Sequence, residues 1–256
     1  MNARPPFARN LRLGRDQIFW LVAGLVLLVY ALVVLDPLSL GATLIGLVLA
    51  ITVHECAHAF TADRLGDPTG RWQGRVTLNP LAHLDPLGSL MMLVTALTGM
   101  GIGWGKPVPV NTYRLRYGPY RGHALVSLSG PLANLLLAAL IGLPMRLFGI
   151  THGWAHTLLS TLAWVNIVIA LFNLLPIPPL DGFGVLIGLI SLVRASWASS
   201  AISWLLGLQR YGTLILIGVL ILPQVVGLSL IGSLVGPLAR WLYQAFTSPL
   251  GAGLLG

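Results

Sequence analysis

Two histidines and a glutamate lie close together in an apolar part of the chain, where charged side chains are costly. The stretch AITVHECAHAF, residues 50–60, contains His54, Glu55 and His58, and Glu55 is the only glutamate among the 256 residues. Side chains four residues apart on an α-helix project from the same face, so His54 and His58 can bind one metal ion. The neighbouring Glu55 can then act on a water at that ion. The HExxH spacing therefore predicts a zinc site.

A catalytic zinc ion usually has three protein ligands and keeps a fourth position for water, so a third ligand must come from elsewhere. The other histidines and the aspartates are the candidates. Asp181 is favoured, because the stretch NLLPIPPLDG, residues 173–182, places it at the end of an apolar run among helix-interrupting prolines. An unpaired carboxylate at membrane depth costs several kcal/mol, and a bound metal would supply the missing partner.

The composition is that of a membrane protein. Hydrophobic residues make up 56% of the chain and charged residues 9%, with a mean hydropathy of +0.85. We predict an all-α polytopic membrane protein with about six transmembrane helices, a re-entrant segment and a small β-strand element near the active site. The chain should form one polytopic domain, 1–256, with a catalytic core over 40–195 and a C-terminal membrane segment over 211–246. The predicted membrane runs are residues 18–35, 39–62, 123–149, 156–176, 182–193 and 211–235.

The net charge of +8 predicts membrane topology rather than nucleic-acid binding, because the basic residues lie at the ends of apolar runs. An arginine-rich start places the N-terminus in the cytoplasm, which brings the end of the HECAH helix back to that side. The basic clusters within 64–75 and 106–121 should both be cytoplasmic. The glycine-rich run 88–104 lies between them, so it should be re-entrant rather than a full crossing. With that topology Asp181 and the HECAH motif reach the same side of the bilayer.

The stretch RWQGRVTLN, residues 71–79, has apolar side chains at alternating positions and predicts a short strand. A transmembrane substrate must be held extended before its peptide bonds can be reached, and pairing with a strand edge achieves this. The strand is therefore a candidate substrate clamp. An ordinary interfacial loop is the alternative.

Together these motifs resemble the site-2 proteases, in the compact bacterial branch without PDZ or CBS domains. The resemblance rests on HECAH and LDG, with GDPTGRWQGRVTLNPLAHLDPLG (66–88), GWGKPVPVN (103–111) and SGPLAN (129–134). It implies a zinc intramembrane protease of the cytoplasmic membrane that cleaves single-span membrane proteins. His54, His58 and Asp181 would bind one zinc ion, and Glu55 would be the general base. Asn173 would help stabilise the tetrahedral intermediate, with a helix-end cap as its alternative role.

Two other functions are compatible with polar residues at membrane depth. A metal transporter would also need histidine and aspartate there, although it needs access from both faces. A catalytically idle scaffold that binds transmembrane helices is the second alternative. His83 and Asp85 could orient a ligand or form a local hydrogen-bonded turn, and Asn134 could form a hydrogen bond between helices.

Overall fold

The computed structural model describes residues 14, 18, 20–26, 36–98, 103–225 and 230–249. The chain forms two compact units, Met1–Pro37 and Leu38–Gly256. In the first unit residues 20–26 are helical. The rest of the predicted first span, apart from residue 18, and the basic N-terminal residues before 14 lie outside the described residues.

The described part of the chain is all-α. Two single turns of 3-10 helix, Pro80–Ala82 and Thr112–Arg114, interrupt the connections. From Pro37 onward the α-helices are α1 (Pro37–Arg64), α2 (Thr69–Trp72), α3 (Pro86–Thr98), α4 (Gly118–Phe148), α5 (Gly153–Asn173), α6 (Asp181–Ile190), α7 (Ser196–Gln209), α8 (Gly212–Val225) and α9 (Leu230–Thr247).

Three of these helices are long and apolar enough to cross a bilayer: α1, α4 and α5, with 28, 31 and 21 residues. A fourth crossing is formed if α7 and the first part of α8, which meet at an angle of 75°, count as one broken span. The protein is thus a multi-pass membrane protein. By contrast α6 has ten residues, a length of about 15 Å, and is shorter than the predicted span over 182–193.

The long helix α4 packs against α5, α6 and α9 and is the centre of the fold. Buried residues from α4, α5 and α9 form one cluster that includes Ala138, Ile167 and Ala239. Small side chains let helices approach closely without a hydrophobic driving force in lipid. Gly142 illustrates this, since a Cβ there would lie 2.8 Å from the Cβ of Phe246.

After α3 the chain returns to the point from which that helix started. A Cβ on Gly88 would lie 2.0 Å from the carbonyl oxygen of Trp104, and a Cβ on Gly103 would overlap Met92. An antiparallel bridge between Leu84 and Gly105 joins the residue just before α3 to the segment that follows it. Residues 99–102 lie outside the described residues.

The predicted strand over 71–79 is wrong, because these residues form a helical turn and a loop. Helix α2 extends to Trp72, and Gly74 then turns the chain with φ at +69°. Arg75 is buried and donates hydrogen bonds to three carbonyls. In the described part of the chain the Leu84–Gly105 bridge is the only β-type pairing.

Candidate metal centre

Three ligand atoms converge where α1 meets the start of α6. His54 Nε2 lies 2.9 Å from Asp181 Oδ2, and His58 Nε2 lies 3.3 Å from the same oxygen. All three atoms are within 4.8 Å of one another. Two donor atoms bound to one tetrahedral zinc ion at about 2.0–2.1 Å are about 3.3 Å apart. The spacing therefore suits a single zinc ion with three protein ligands.

Helix α4 fixes the orientation of both imidazole rings. The Nδ1–H of His58 donates to the carbonyl oxygen of Val126 at 2.7 Å, and the Nδ1–H of His54 donates to Asn134 Oδ1 at 2.8 Å. The Asn134 amide is itself held, since its Nδ2 donates to Ala50 O and to Asn166 Oδ1. Asn134 and Asn166 are completely buried. A chain of hydrogen bonds from α5 through α4 thus sets the His54 ring.

These hydrogen bonds determine which atoms face the centre. When each ring is neutral and Nδ1 is its donor, Nε2 presents a lone pair. Asp181 Oδ2 is buried and accepts no hydrogen bond. In that tautomer the two Nε2 atoms and Asp181 Oδ2 are three acceptors that face one another, and a cation is the partner that such an arrangement requires.

Two glycines allow the ligands to approach. A Cβ on Gly130 would lie 2.6 Å from the Nε2 of His58 and 2.8 Å from the Cε1 of His54. A Cβ on Gly182 would lie 2.1 Å from the Leu174 carbonyl oxygen, so the start of α6 packs directly on the end of α5. Asp181 occupies the first turn of α6, where the positive end of the helix dipole favours a carboxylate.

Glu55 follows His54 on α1 and is held by the loop that follows α3. Its Oε2 accepts a hydrogen bond from the backbone N–H of Val108 at 3.1 Å. The other oxygen, Oε1, has no hydrogen-bond partner within the described residues. Glu55 can therefore accept a proton on Oε1 while Oε2 keeps the carboxylate in place.

Asn173 lies in the last turn of α5, eight residues before Asp181. Its Nδ2 donates to the Ile169 carbonyl oxygen one turn earlier, so the amide is bound to its own helix. His83 and Asp85 also form local hydrogen bonds, to Thr77 O and from the Gly88 N–H. Their arrangement is the local turn that the sequence offered as one of two possibilities.

The sequence did not identify several residues that build the centre, namely the Val126 carbonyl, Gly130 and Asn166. Asn166 had a usable signal, because an amide inside an apolar helix needs a partner. A backbone carbonyl carries no signal in the sequence. Gly130 lies in SGPLAN, which the sequence indicated only as a site of close helix approach.

Residues 149–216, which include Asp181, match the model of the family described as Peptidase family M50. "Putative zinc metalloprotease YwhC" of Bacillus subtilis is 42% identical over 166 residues, which cover 60% of this chain and 72% of that protein. The Rip2 proteins of Mycolicibacterium smegmatis and Mycobacterium tuberculosis bear the same description. Each is 38% identical over 55% of this chain and 54% of its own length. The chain thus spans about half the length of Rip2. No solved structure matches the chain.

Proposed function

The chain belongs to peptidase family M50, and from this premise we propose that it is a membrane zinc metalloprotease that hydrolyses peptide bonds in or near transmembrane segments of other membrane proteins. The observation that carries the proposal is the convergence of His54, His58 and Asp181, with both Nδ1–H groups committed to α4. Two imidazoles and one carboxylate are a ligand set of catalytic zinc and leave a position open for reaction.

Zinc, when bound, polarises the scissile carbonyl and activates water as the nucleophile. Glu55 is the general base, which accepts the proton of the attacking water on Oε1 and later delivers it to the leaving nitrogen. The Val108 N–H on Oε2 keeps the carboxylate oriented through both transfers. The Nδ1–H groups of His54 and His58 stay bonded to Asn134 and Val126, so each ring would bind the metal through Nε2.

Negative charge that develops on the carbonyl oxygen needs a donor, and we assign this role to the side-chain amide of Asn173. Its position at the end of α5, next to the turn that leads to Asp181, supports the assignment. The Nδ2–H that is not bonded to Ile169 is the one available for the substrate.

The membrane arrangement that we propose has about six helices in the bilayer and a cytoplasmic N-terminus, in the cytoplasmic membrane. The metal centre lies near the cytoplasmic side. Helix α3 enters the bilayer and the chain leaves on the same side, as supported by the contact between Gly88 and Trp104. The substrates are single-span membrane proteins that reach the centre laterally from the lipid, and their cleaved segment is extended before hydrolysis.

The test compares the wild type with Glu55→Gln, both purified in detergent and then assayed with labelled transmembrane peptides. Both should bind about one zinc ion per chain, and only the wild type should cleave. Glutamine keeps the shape and the Val108 hydrogen bond but cannot take a proton. Cleavage by Glu55→Gln would refute the role of Glu55. Zinc flux into vesicles without cleavage by either protein would favour a transporter instead.

A further inference from the structure

Arg75 is a buried cation that has no carboxylate partner in the part of the chain that the structure describes. It is 3% exposed, whereas the neighbouring Arg71 is exposed and paired with Asp63. The Arg75 guanidinium donates to the carbonyl oxygens of Ala82 at 2.5 Å, Lys106 at 3.1 Å and Pro107 at 3.4 Å. Burial of a charge is expensive unless fixed dipoles replace water, so these three carbonyls must be held in place around it.

One peptide group lies between this cation and the only glutamate of the chain. The carbonyl of the Pro107–Val108 peptide accepts from Arg75, and the N–H of the same peptide donates to Glu55 Oε2. A trans peptide points its C=O and N–H in opposite directions. The peptide dipole is thus aligned between a positive and a negative side chain. Arg75 attracts the carbonyl oxygen and Glu55 attracts the N–H, so both charges stabilise the same orientation of the peptide.

The local sequence leaves no other donor for this position. Pro107 and Pro109 lack an N–H, so Val108 has the single backbone donor of the three residues, and both proline rings fix φ. The far end of the segment is held too, because the Asn111 N–H donates to the fully buried Asp67 at 2.6 Å. Two buried charges therefore hold the segment from 106 to 111.

We propose that Arg75 is a positioning residue for Glu55, acting through the Pro107–Val108 peptide. This proposal rests on the proposed function, since it assumes that Glu55 is the base. Arg75 does not touch substrate. It holds the amide that binds Oε2 and so directs Oε1 towards the reacting water. A displacement of about 1 Å in such a constellation can cost about 100-fold in rate.

The first test needs no substrate. Two proteolytic fragments that differ only by residues 107–109 differ by one exchangeable amide, because both neighbours of Val108 are prolines. The difference in their deuterium content therefore reports hydrogen exchange at Val108. Arg75→Met should speed exchange at Val108 at least about tenfold, since the Pro107–Val108 peptide loses the guanidinium that fixes its carbonyl and its N–H is then less firmly held on Glu55. Arg71→Met is the matched control and should leave that exchange unchanged. Unchanged exchange at Val108 in Arg75→Met would overturn the proposal.

The second test is kinetic and uses Arg75→Lys if Arg75→Met does not fold. We expect kcat to fall about 10- to 100-fold for Met and less for Lys, with KM and zinc content kept. In a Glu55→Asp background the shorter carboxylate no longer reaches Val108. Replacement of Arg75 should then lower kcat by less than about threefold. An equal loss in both backgrounds would overturn the coupling. If the wild type cleaves nothing, the proposed function fails, while the exchange result still decides whether Arg75 holds the peptide.

Discussion

Replacement of Gly130 by alanine should weaken zinc binding although no ligand residue is replaced. The added Cβ would lie 2.6 Å from both Cε1 and Nε2 of His58. Ordinary contacts between such atoms are about 3.5 Å or longer, so the shortfall is about 0.9 Å. Zinc sites tolerate deviations of about 0.2 Å in ligand distance. His58 has to move several times further than that, and the backbone of α4 cannot yield because it also carries Asn134.

We expect zinc affinity to fall at least about 100-fold, which corresponds to about 2.8 kcal/mol. Competition with chelators of graded affinity measures this on the purified protein, with zinc per chain determined by elemental mass spectrometry. The matched control is Gly142→Ala on the same helix, about 18 Å away along the axis. Its Cβ would lie 2.8 Å from the Cβ of Phe246, so it should lower thermal stability and leave zinc affinity unchanged.

Two results would refute this reasoning. Wild-type zinc affinity in Gly130→Ala would show that the imidazole rings have room that the structure does not give them. Equal loss of zinc in Gly130→Ala and Gly142→Ala would show that general destabilisation of α4, rather than steric displacement of the ligands, releases the metal.

Three further predictions concern the same centre. Asn134→Leu removes the acceptor of the His54 Nδ1–H, so zinc affinity should fall about 10- to 100-fold in the chelator competition, and an unchanged affinity would contradict the orienting role. Zinc at 100 times its dissociation constant should stabilise the folded protein by about 2.7 kcal/mol, seen as a melting temperature that drops with chelator and recovers with zinc. His58→Ala should show no such shift. Asn173→Ala should lower kcat about 100-fold while zinc is retained, and a loss of thermal stability alone would assign the amide to its bond with Ile169.

Helix periodicity and membrane topology were sufficient to predict the ligand set as a hypothesis. His54 and His58 share a face of α1 because their spacing is local and depends only on helix geometry. Asp181 is distant from the motif in sequence, and its placement depends on the number of crossings between 64 and 181, which the positions of the basic residues predict. The structure brings all three together.

The strand predicted over 71–79 is wrong because a charged side chain, that of Arg75, is buried while apolar neighbours are exposed. The alternation of Trp72, Val76 and Leu78 predicts a strand with these three side chains on one face. In the structure Trp72 and Leu78 are exposed and Arg75 is buried, so the apparent pattern is inverted. Nothing in the local sequence shows that carbonyls from residues 82, 106 and 107 converge on the guanidinium, because these contacts form only when distant segments meet.

The separation of the ligands along the chain has a consequence for biosynthesis. His58 and Asp181 are 123 positions apart, so Asp181 is synthesised well after the two histidines. While α1 and α4 enter the membrane, the two histidines can already bond to Asn134 and Val126, yet the third ligand does not exist. The three-ligand set is therefore complete only after the start of α6 has been synthesised. A chain that stops before that helix has two of the three ligand side chains, so the centre cannot form on α1 and α4 alone.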